Sequence, residues 1–286
     1  MSDSTYKTLA AAAAAGAAGA AITGFGAALD LTDAAAIWPV MATCAVVGGL
    51  LQSAKSSLGG MVDNRTRTLR ERLEDLRRSV GDIHGLVRIQ PLAQQLPLPI
   101  GGGWALTGDA AAVLVREAQL RKPRTILELG SGVSTLLLGQ VLRNAGGGRL
   151  VSIDHDAAWA ARTRENLKLM GLEDVVSVVD APLRTRTVGE QRYDWYDIPD
   201  AVLDELGPID LLLVDGPPQR SGDTLPARFP ALPVLGPRLS DDALVFVDDA
   251  DRAQERTMVQ WWLEQDAGWK AERHPTVDGV CLLRRT

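Results

Sequence analysis

The chain has 286 residues, of which 46% are hydrophobic and 23% charged, with a formal net charge of −6. This composition excludes wholesale disorder, and the acidic balance argues against a dedicated nucleic-acid binder. Two cysteines as far apart as Cys44 and Cys281 exclude a disulfide scaffold and a cysteine-built zinc site.

Residues 1–57 are read first. Leu9 to Leu29 and Ala34 to Ala54 carry no charged residue and are separated only by Asp30-Leu31-Thr32-Asp33. Each run is long enough for a membrane span. Lys7 precedes the first, and Lys55, Arg65, Arg67 and Arg70 follow the second. The positive-inside rule then predicts a transmembrane hairpin with both ends cytoplasmic and the aspartates outside. The chain is accordingly expected at the cell membrane, with its C-terminal part in the cytoplasm. A signal peptide or a flexible Ala/Gly tail are the competing readings of the first run.

Residues 58–90 read as an amphipathic connector helix. Leu69, Leu73, Leu76, Val80, Ile83 and Val87 recur at heptad spacing among interleaved arginines and acids. Two readings follow. One is a short coiled coil that forms a homodimer through residues 62–87, with its arginines near anionic lipid headgroups. The other is an amphipathic helix packed on its own domain. The helix is expected to end before Pro91, and residues 91–103 read as a Pro/Gly-rich linker.

Residues 104–286 alternate short apolar runs with helical patterns. Thr125–Leu129, Leu150–Ile153, Val175–Val179, Ile209–Val214 and Ala243–Val247 read as buried parallel strands, and Trp269–His274 with Val280–Arg284 as a closing hairpin. The expected fold class is α/β, a doubly wound Rossmann-like sheet with its ligand site at the carboxyl ends of the strands. The first strand runs into Glu128-Leu129-Gly130-Ser131-Gly132-Val133-Ser134-Thr135, a glycine turn that opens a helix. The second ends in Asp154-His155, where an acid can accept from both hydroxyls of a ribose. The third ends in Asp180-Ala181, where an acid can meet an adenine amino group. The plainer alternatives are a simple strand-to-helix turn at Gly130 and Gly132, and helix capping by Asp154 or Asp156.

This set of strand ends resembles the class I S-adenosylmethionine-dependent methyltransferases, over roughly Trp104 to Arg285. The resemblance implies a seven-stranded methyltransferase sheet with its last strand antiparallel, and S-adenosyl-L-methionine as cofactor. It implies that Glu128, Gly130, Ser131 and Gly132 line the methionine part, that Asp154 holds the ribose with His155 beside the adenine, and that Asp180 and Ala181 border the adenine. Ser134 joins the cofactor-binding set. A dinucleotide oxidoreductase would want a third glycine where Thr135 stands.

Asp215 ends the fourth parallel strand, and Asp248-Asp249 the fifth. Adjacent strand ends lie about 5 Å apart, so the three carboxylates can converge on Mg²⁺ or another divalent cation. The arrangement resembles the catechol and caffeoyl-coenzyme A O-methyltransferases, with Asp249 in place of an asparagine. Those families place a lysine or histidine soon after the first aspartate, whereas this chain has Pro217, Pro218 and Gln219. Asp215 is the candidate catalytic carboxylate, and the base is otherwise unassigned. Without a cation, one or more of the three should have a raised pKa. Tyr193, Trp195 and Tyr196 read as aromatics on a loop over an organic substrate, or as local packing.

The function expected from these residues is methyl transfer to oxygen of a small-molecule, lipid-linked or glycan acceptor at the cytoplasmic membrane face. An inactive anchored scaffold and an aminopropyl transferase on the same fold are the alternatives.

Overall fold

A computed structural model of the chain describes residues 34–94 and 106–286. It divides into two compact units between Asp75 and Leu76.

Helix α1 runs unbroken from Ala34 to Ala93. The expected span from Leu9 to Leu29 lies outside the described residues, as does most of the 91–103 linker. No helix among the described residues is long and apolar enough to cross a membrane. The hairpin expected over residues 1–57 is therefore not supported.

The helix also passes Pro91, where the sequence predicts a stop. Pro91 sits in the last turn, so its missing N–H costs a single helical bond. Ile89 and Leu92 on either side are buried in the core of the second unit, and their packing outweighs that loss. Leu69, Leu73, Leu76, Val80, Ile83 and Val87, the heptad seam of the sequence, are all exposed. In the second unit the helix docks by its opposite face, through Asp82, Gly85, Ile89 and Leu92. A Cβ at Gly85 would lie 2.4 Å from the backbone of Gly108 and Asp109, so only glycine allows this approach. The Asp82 carboxylate accepts from the backbone N–H groups of Gly108 and Asp109 at 2.6 and 3.3 Å. It thereby caps the next helix from outside it.

That helix, α2 (Gly108–Arg121), leads into β1 (Thr125–Leu129), α3 (Val133–Asn144), β2 (Arg149–Asp154), α4 (Ala157–Met170) and β3 (Val176–Asp180). A two-stranded antiparallel ribbon of β4 (Leu183–Val188) and β5 (Gln191–Tyr196) follows. The chain then resumes with α5 (Asp200–Leu206), β6 (Ile209–Val214), α6 (Ala231–Leu235), β7 (Leu239–Val247), α7 (Ala253–Gln265), β8 (Trp269–His274) and β9 (Val280–Arg285). The main sheet has the order β3-β2-β1-β6-β7-β9-β8, with β9 antiparallel to both neighbours. The expected doubly wound sheet and its terminal hairpin are present.

Side chains alternate across the sheet, which creates two cores. Ile126, Leu150, Leu211 and Phe246 pack with α2, α3 and α4 on one face. Leu127, Val151, Leu212 and Val245 pack with α5, α6 and α7 on the other. The ribbon was read as an aromatic loop. It forms about a turn at Gly189, which has φ 60°, with Arg192 to Trp195 alternating polar and apolar side chains against the polar β4.

Candidate active site

The strand order reverses between β1 and β6, and the crevice at such a switch point is where open α/β sheets bind ligands. Here the turn after β1 meets the end of β6. Gly130 adopts φ 99°, and a Cβ there would lie 2.9 Å from the Asp215 carbonyl oxygen. Both facts demand glycine. A Cβ at Gly216 would strike the Tyr196 hydroxyl at 2.1 Å, so this glycine makes room for the tyrosine that closes the crevice floor.

The crevice holds a cavity of about 420 Å³, within the usual range for small-molecule sites. Of the residues singled out in the sequence, Gly130, Ser131, Asp154, His155, Tyr196, Asp215, Asp248 and Asp249 line it. Four strand ends and the ribbon deliver them. The Asp154 carboxylate is held rigidly. One oxygen accepts from the Ser131 N–H and hydroxyl at 2.9 and 2.6 Å, and the other from the Asp156 N–H at 2.9 Å. A carboxylate has about four acceptor directions, so one remains for a ligand. The helix-capping task belongs to Asp156, whose side chain accepts from Ala158 and Trp159.

Other expected site residues fall elsewhere. Glu128 is fully buried beneath the turn, where it accepts from the Thr135 hydroxyl. That hydroxyl in turn accepts from the Gly132 N–H at 2.8 Å. The position where a dinucleotide site would carry a third glycine thus braces the loop instead. Ser134 is buried in the same region and hydrogen-bonds Glu128, rather than lining the cavity. Asp180 turns outward to pair with Arg164, and Ala181 is packed in the core. Trp195 is buried in that core and Tyr193 stacks on Phe229, so neither lines this cavity. Tyr193 instead borders a neighbouring cavity of about 350 Å³ between the ribbon and the Pro217–Ala227 segment. The two cavities share Pro218.

The three strand-end aspartates do converge. Ligand oxygens of Asp215, Asp248 and Asp249 lie within 4.8 Å of one another. Asp249 has φ 60°, a left-handed conformation that aspartate tolerates better than most side chains. What the sequence does not reveal is Arg228, buried among them. Its guanidinium donates to Asp249 at 2.9 Å, to Asp215 at 3.3 Å and to the Asp248 carbonyl oxygen at 3.2 Å, and Glu255 lies 3.7 Å away. Arg252 adds a second ion pair to Asp249 at 2.7 Å. Two arginines against four carboxylates leave an acidic excess. Burial pushes Asp215 up to about 7, with Arg228 opposing and Asp249 assisting the rise. Burial, with Asp215 and Asp249 nearby, also raises Asp248. Arg228 carried no periodic signal because it lies in an irregular connection. Trp159, whose indole N–H donates to the Ser131 carbonyl oxygen at 2.7 Å, was likewise missed.

Glu128 yields a test. Burial pushes it from 4.5 to about 7, despite hydrogen bonds from Ser134, Ser152 and Thr135. A folded-state pKa above the unfolded value means that the folded chain holds the extra proton, so its stability falls as pH rises from about 4.5 to 7. Glu128→Gln is expected to remove this slope. It should stabilise the ligand-free chain by up to about 3 kcal/mol above pH 7 and change little near pH 4.5. Denaturant unfolding of both proteins across that range measures the difference.

Residues 127–250 match a protein-family model described as a methyltransferase domain. That span is similar to methyltransferase domains, and the resemblance drawn from the sequence implies S-adenosylmethionine as the cofactor. The sheet order, the Gly130 turn and the acid ending β2 are the features the sequence resemblance implied. No curated protein sequence matches the chain. Similar solved structures include a methyltransferase from Geobacter sulfurreducens, 18% identical, covering 70% of this chain and 88% of that one with a TM-score of 0.47. The O-methyltransferase TomG from Streptomyces achromogenes is 20% identical, with coverage of 70% and 89% and a TM-score of 0.47. An O-methyltransferase from Bacillus cereus is 15% identical, with coverage of 72% and 90% and a TM-score of 0.47.

The residues present fit this cofactor. Six aspartates line the cavity against Arg228, Arg252 and His155, an environment suited to a ligand bearing a sulfonium and an ammonium. Asp154 offers a fixed acceptor for a ribose, and one carboxylate oxygen of Glu128 is buried without a partner beneath the turn.

Proposed function

We propose that the domain methylates a hydroxyl oxygen of an acceptor that enters beside the β4–β5 ribbon. The observation that carries this reading is the position of Asp215. A carboxylate pushed up to about 7 shares one cavity wall with the Gly130–Ser131 turn and Asp154. Bound there, S-adenosylmethionine supplies an electrophilic methyl group on a positively charged sulfur. Asp154 orients the ribose, and the acidic lining offsets the positive charge. Asp215 takes the acceptor's hydroxyl proton as the oxygen attacks, a role for which a pKa near neutrality is suited. Arg228 holds Asp215 in place, and Tyr196 closes the floor. The remaining catalytic contribution is alignment of the two reacting groups. The neighbouring cavity, reached past Pro218 and bordered by Tyr193, Arg192 and Arg220, is the acceptor's side of the site. The acceptor is a small molecule or a lipid-linked or glycan group presented at the cytoplasmic face of a membrane.

Calorimetric titration of the full chain with S-adenosylmethionine and its demethylated product tests the cofactor assignment. Asp154→Ala is expected to weaken both by about 10- to 100-fold, the worth of hydrogen bonds to a charged group. An unchanged affinity would remove Asp154 from the ribose site, and absence of binding to the parent chain would defeat the reading.

One observation favours a second reading of the acidic cluster. Its three carboxylates have the oxygen donors and mutual distances that suit a hard divalent cation. Such a cation would have to share Asp215 and Asp249 with Arg228. On this reading chelator abolishes turnover and Mg²⁺ restores it, whereas full activity in excess chelator leaves Arg228 as the organising cation.

A further inference from the structure

The exposed face of α1 raises a question that methyl transfer does not answer. In the first unit, Leu51, Leu58, Val62, Leu69 and Leu73 are each more than 60% exposed. They follow one another at intervals of 7, 4, 7 and 4 residues. An 11-residue repeat corresponds to about 3.7 residues per turn, close to the 3.6 of a straight helix. The five side chains therefore form one stripe nearly parallel to the axis. Lys55, Arg65 and Arg72 lie within or beside the stripe, with Arg70 on its other flank. Asp63 lies beyond Arg70 on that flank, and Glu71 and Glu74 lie around the far side, where Glu71 pairs with Arg67 at 3.0 Å.

Two features argue against a second copy of the helix as the occupant. A left-handed two-helix coil needs a repeat of 3.5 residues. Extending the heptad of Leu69 and Leu73 backwards places Thr66, Gly59 and Lys55 on the seam. In that frame Arg65, Arg70 and Arg72 occupy the flanking positions that face a partner helix. In a parallel pair a second copy would set Arg65 against Arg70. A straight apolar stripe with basic flanks instead complements a flat, apolar, negatively charged boundary.

We propose that residues 47–73 of α1 form an interfacial helix that lies on an anionic lipid surface. The leucines and valines enter the acyl boundary, and Lys55, Arg65, Arg70 and Arg72 sit among the headgroups. This differs from a membrane span, because the helix lies in the surface plane and its acidic side faces water. It does not depend on which acceptor the domain methylates.

Flotation of the full chain with vesicles tests it. Vesicles containing phosphatidylglycerol should capture the protein, and raised salt should release it. Pure phosphatidylcholine vesicles should capture it far less. The triple variant Arg65→Glu, Arg70→Glu, Arg72→Glu should lower partitioning by ~100-fold or more, since each basic residue near an anionic surface contributes roughly fivefold. The double variant Leu58→Glu, Leu69→Glu should lose binding as well. Both variants should retain the parent's helical circular dichroism and S-adenosylmethionine affinity, which separates lost lipid binding from lost folding. Equal capture by neutral and anionic vesicles, or unaltered capture of the triple variant, overturns the proposal. So does a lipid-free dimer in analytical ultracentrifugation that Leu58→Glu, Leu69→Glu dissociates, because the stripe would then belong to a second copy.

Discussion

Arg228→Met is expected to cost about 3–5 kcal/mol of folding stability, the loss typical when one partner of a buried ion pair is removed. The arginine is 5% exposed and serves several groups at once. It faces Asp215, Asp249 and Glu255, and it donates to the carbonyl oxygens of Pro217 and Asp248. Those carbonyls follow the ends of β6 and β7, so one side chain ties together the two strand ends that carry the acidic cluster. Without it, the buried carboxylates keep only Arg252 as a counter-charge. The sign of the pH dependence follows. Protonating the freed carboxylates relieves their repulsion, so the loss should shrink as pH falls through about 7, where Asp215 already titrates in the parent. Urea unfolding of parent and variant at acidic and neutral pH measures both effects. A loss below about 1 kcal/mol at neutral pH would mean that solvent already screens the cluster. Repeating the measurement with Mg²⁺ separates the two readings of the site. A cation that belongs there should restore part of the stability of Arg228→Met, while an arginine-centred site should respond only to ionic strength.

The second large effect is on rate. Asp215→Asn keeps the shape of the side chain and removes its basicity. Turnover is expected to fall by about 10²–10⁴-fold, the usual worth of a general base. Cofactor affinity should change far less, because Asp154 and the Gly130 turn are untouched. The pH profile carries the assignment. With Asp215 pushed up to about 7, the parent's rate should rise through neutrality and level off as the carboxylate ionises. The variant should lose that limb. If the limb persists in Asp215→Asn, another group is the base and Asp215 has a structural task beside Arg228.

Much of the catalytic unit was legible in residue order. β1 and β6 occupy the predicted residues, because buried parallel strands are short, largely apolar runs bounded by turn residues. The glycine turn was legible for a related reason: Gly130 has a backbone conformation and a close neighbour that other residues cannot accommodate. Strand-end acids were legible because an aspartate that closes an apolar run in a doubly wound sheet points to the ligand edge. The ribbon of β4 and β5 was not legible, since its aromatics suit a lid as readily as a strand. Only its pairing sends Trp195 inward and Tyr196 to the cavity.

Helix α1 shows the same division. Its periodicity was visible, but periodicity says only that one face differs from the others. Which face meets the domain was decided by Gly85 and Asp82 closing on the start of α2, on the side opposite the leucines.

The sequence by itself determined the α/β alternation, the switch-point turn, and the acids at four strand ends, because each is a local pattern tied to a backbone geometry. Only the tertiary structure decided which acids share a cavity, that Asp180 and Glu128 stand outside it, and that Arg228 lies between Asp215 and Asp249. Those are contacts between residues far apart in the chain, and their energies come from burial and opposed charge, which no local pattern encodes.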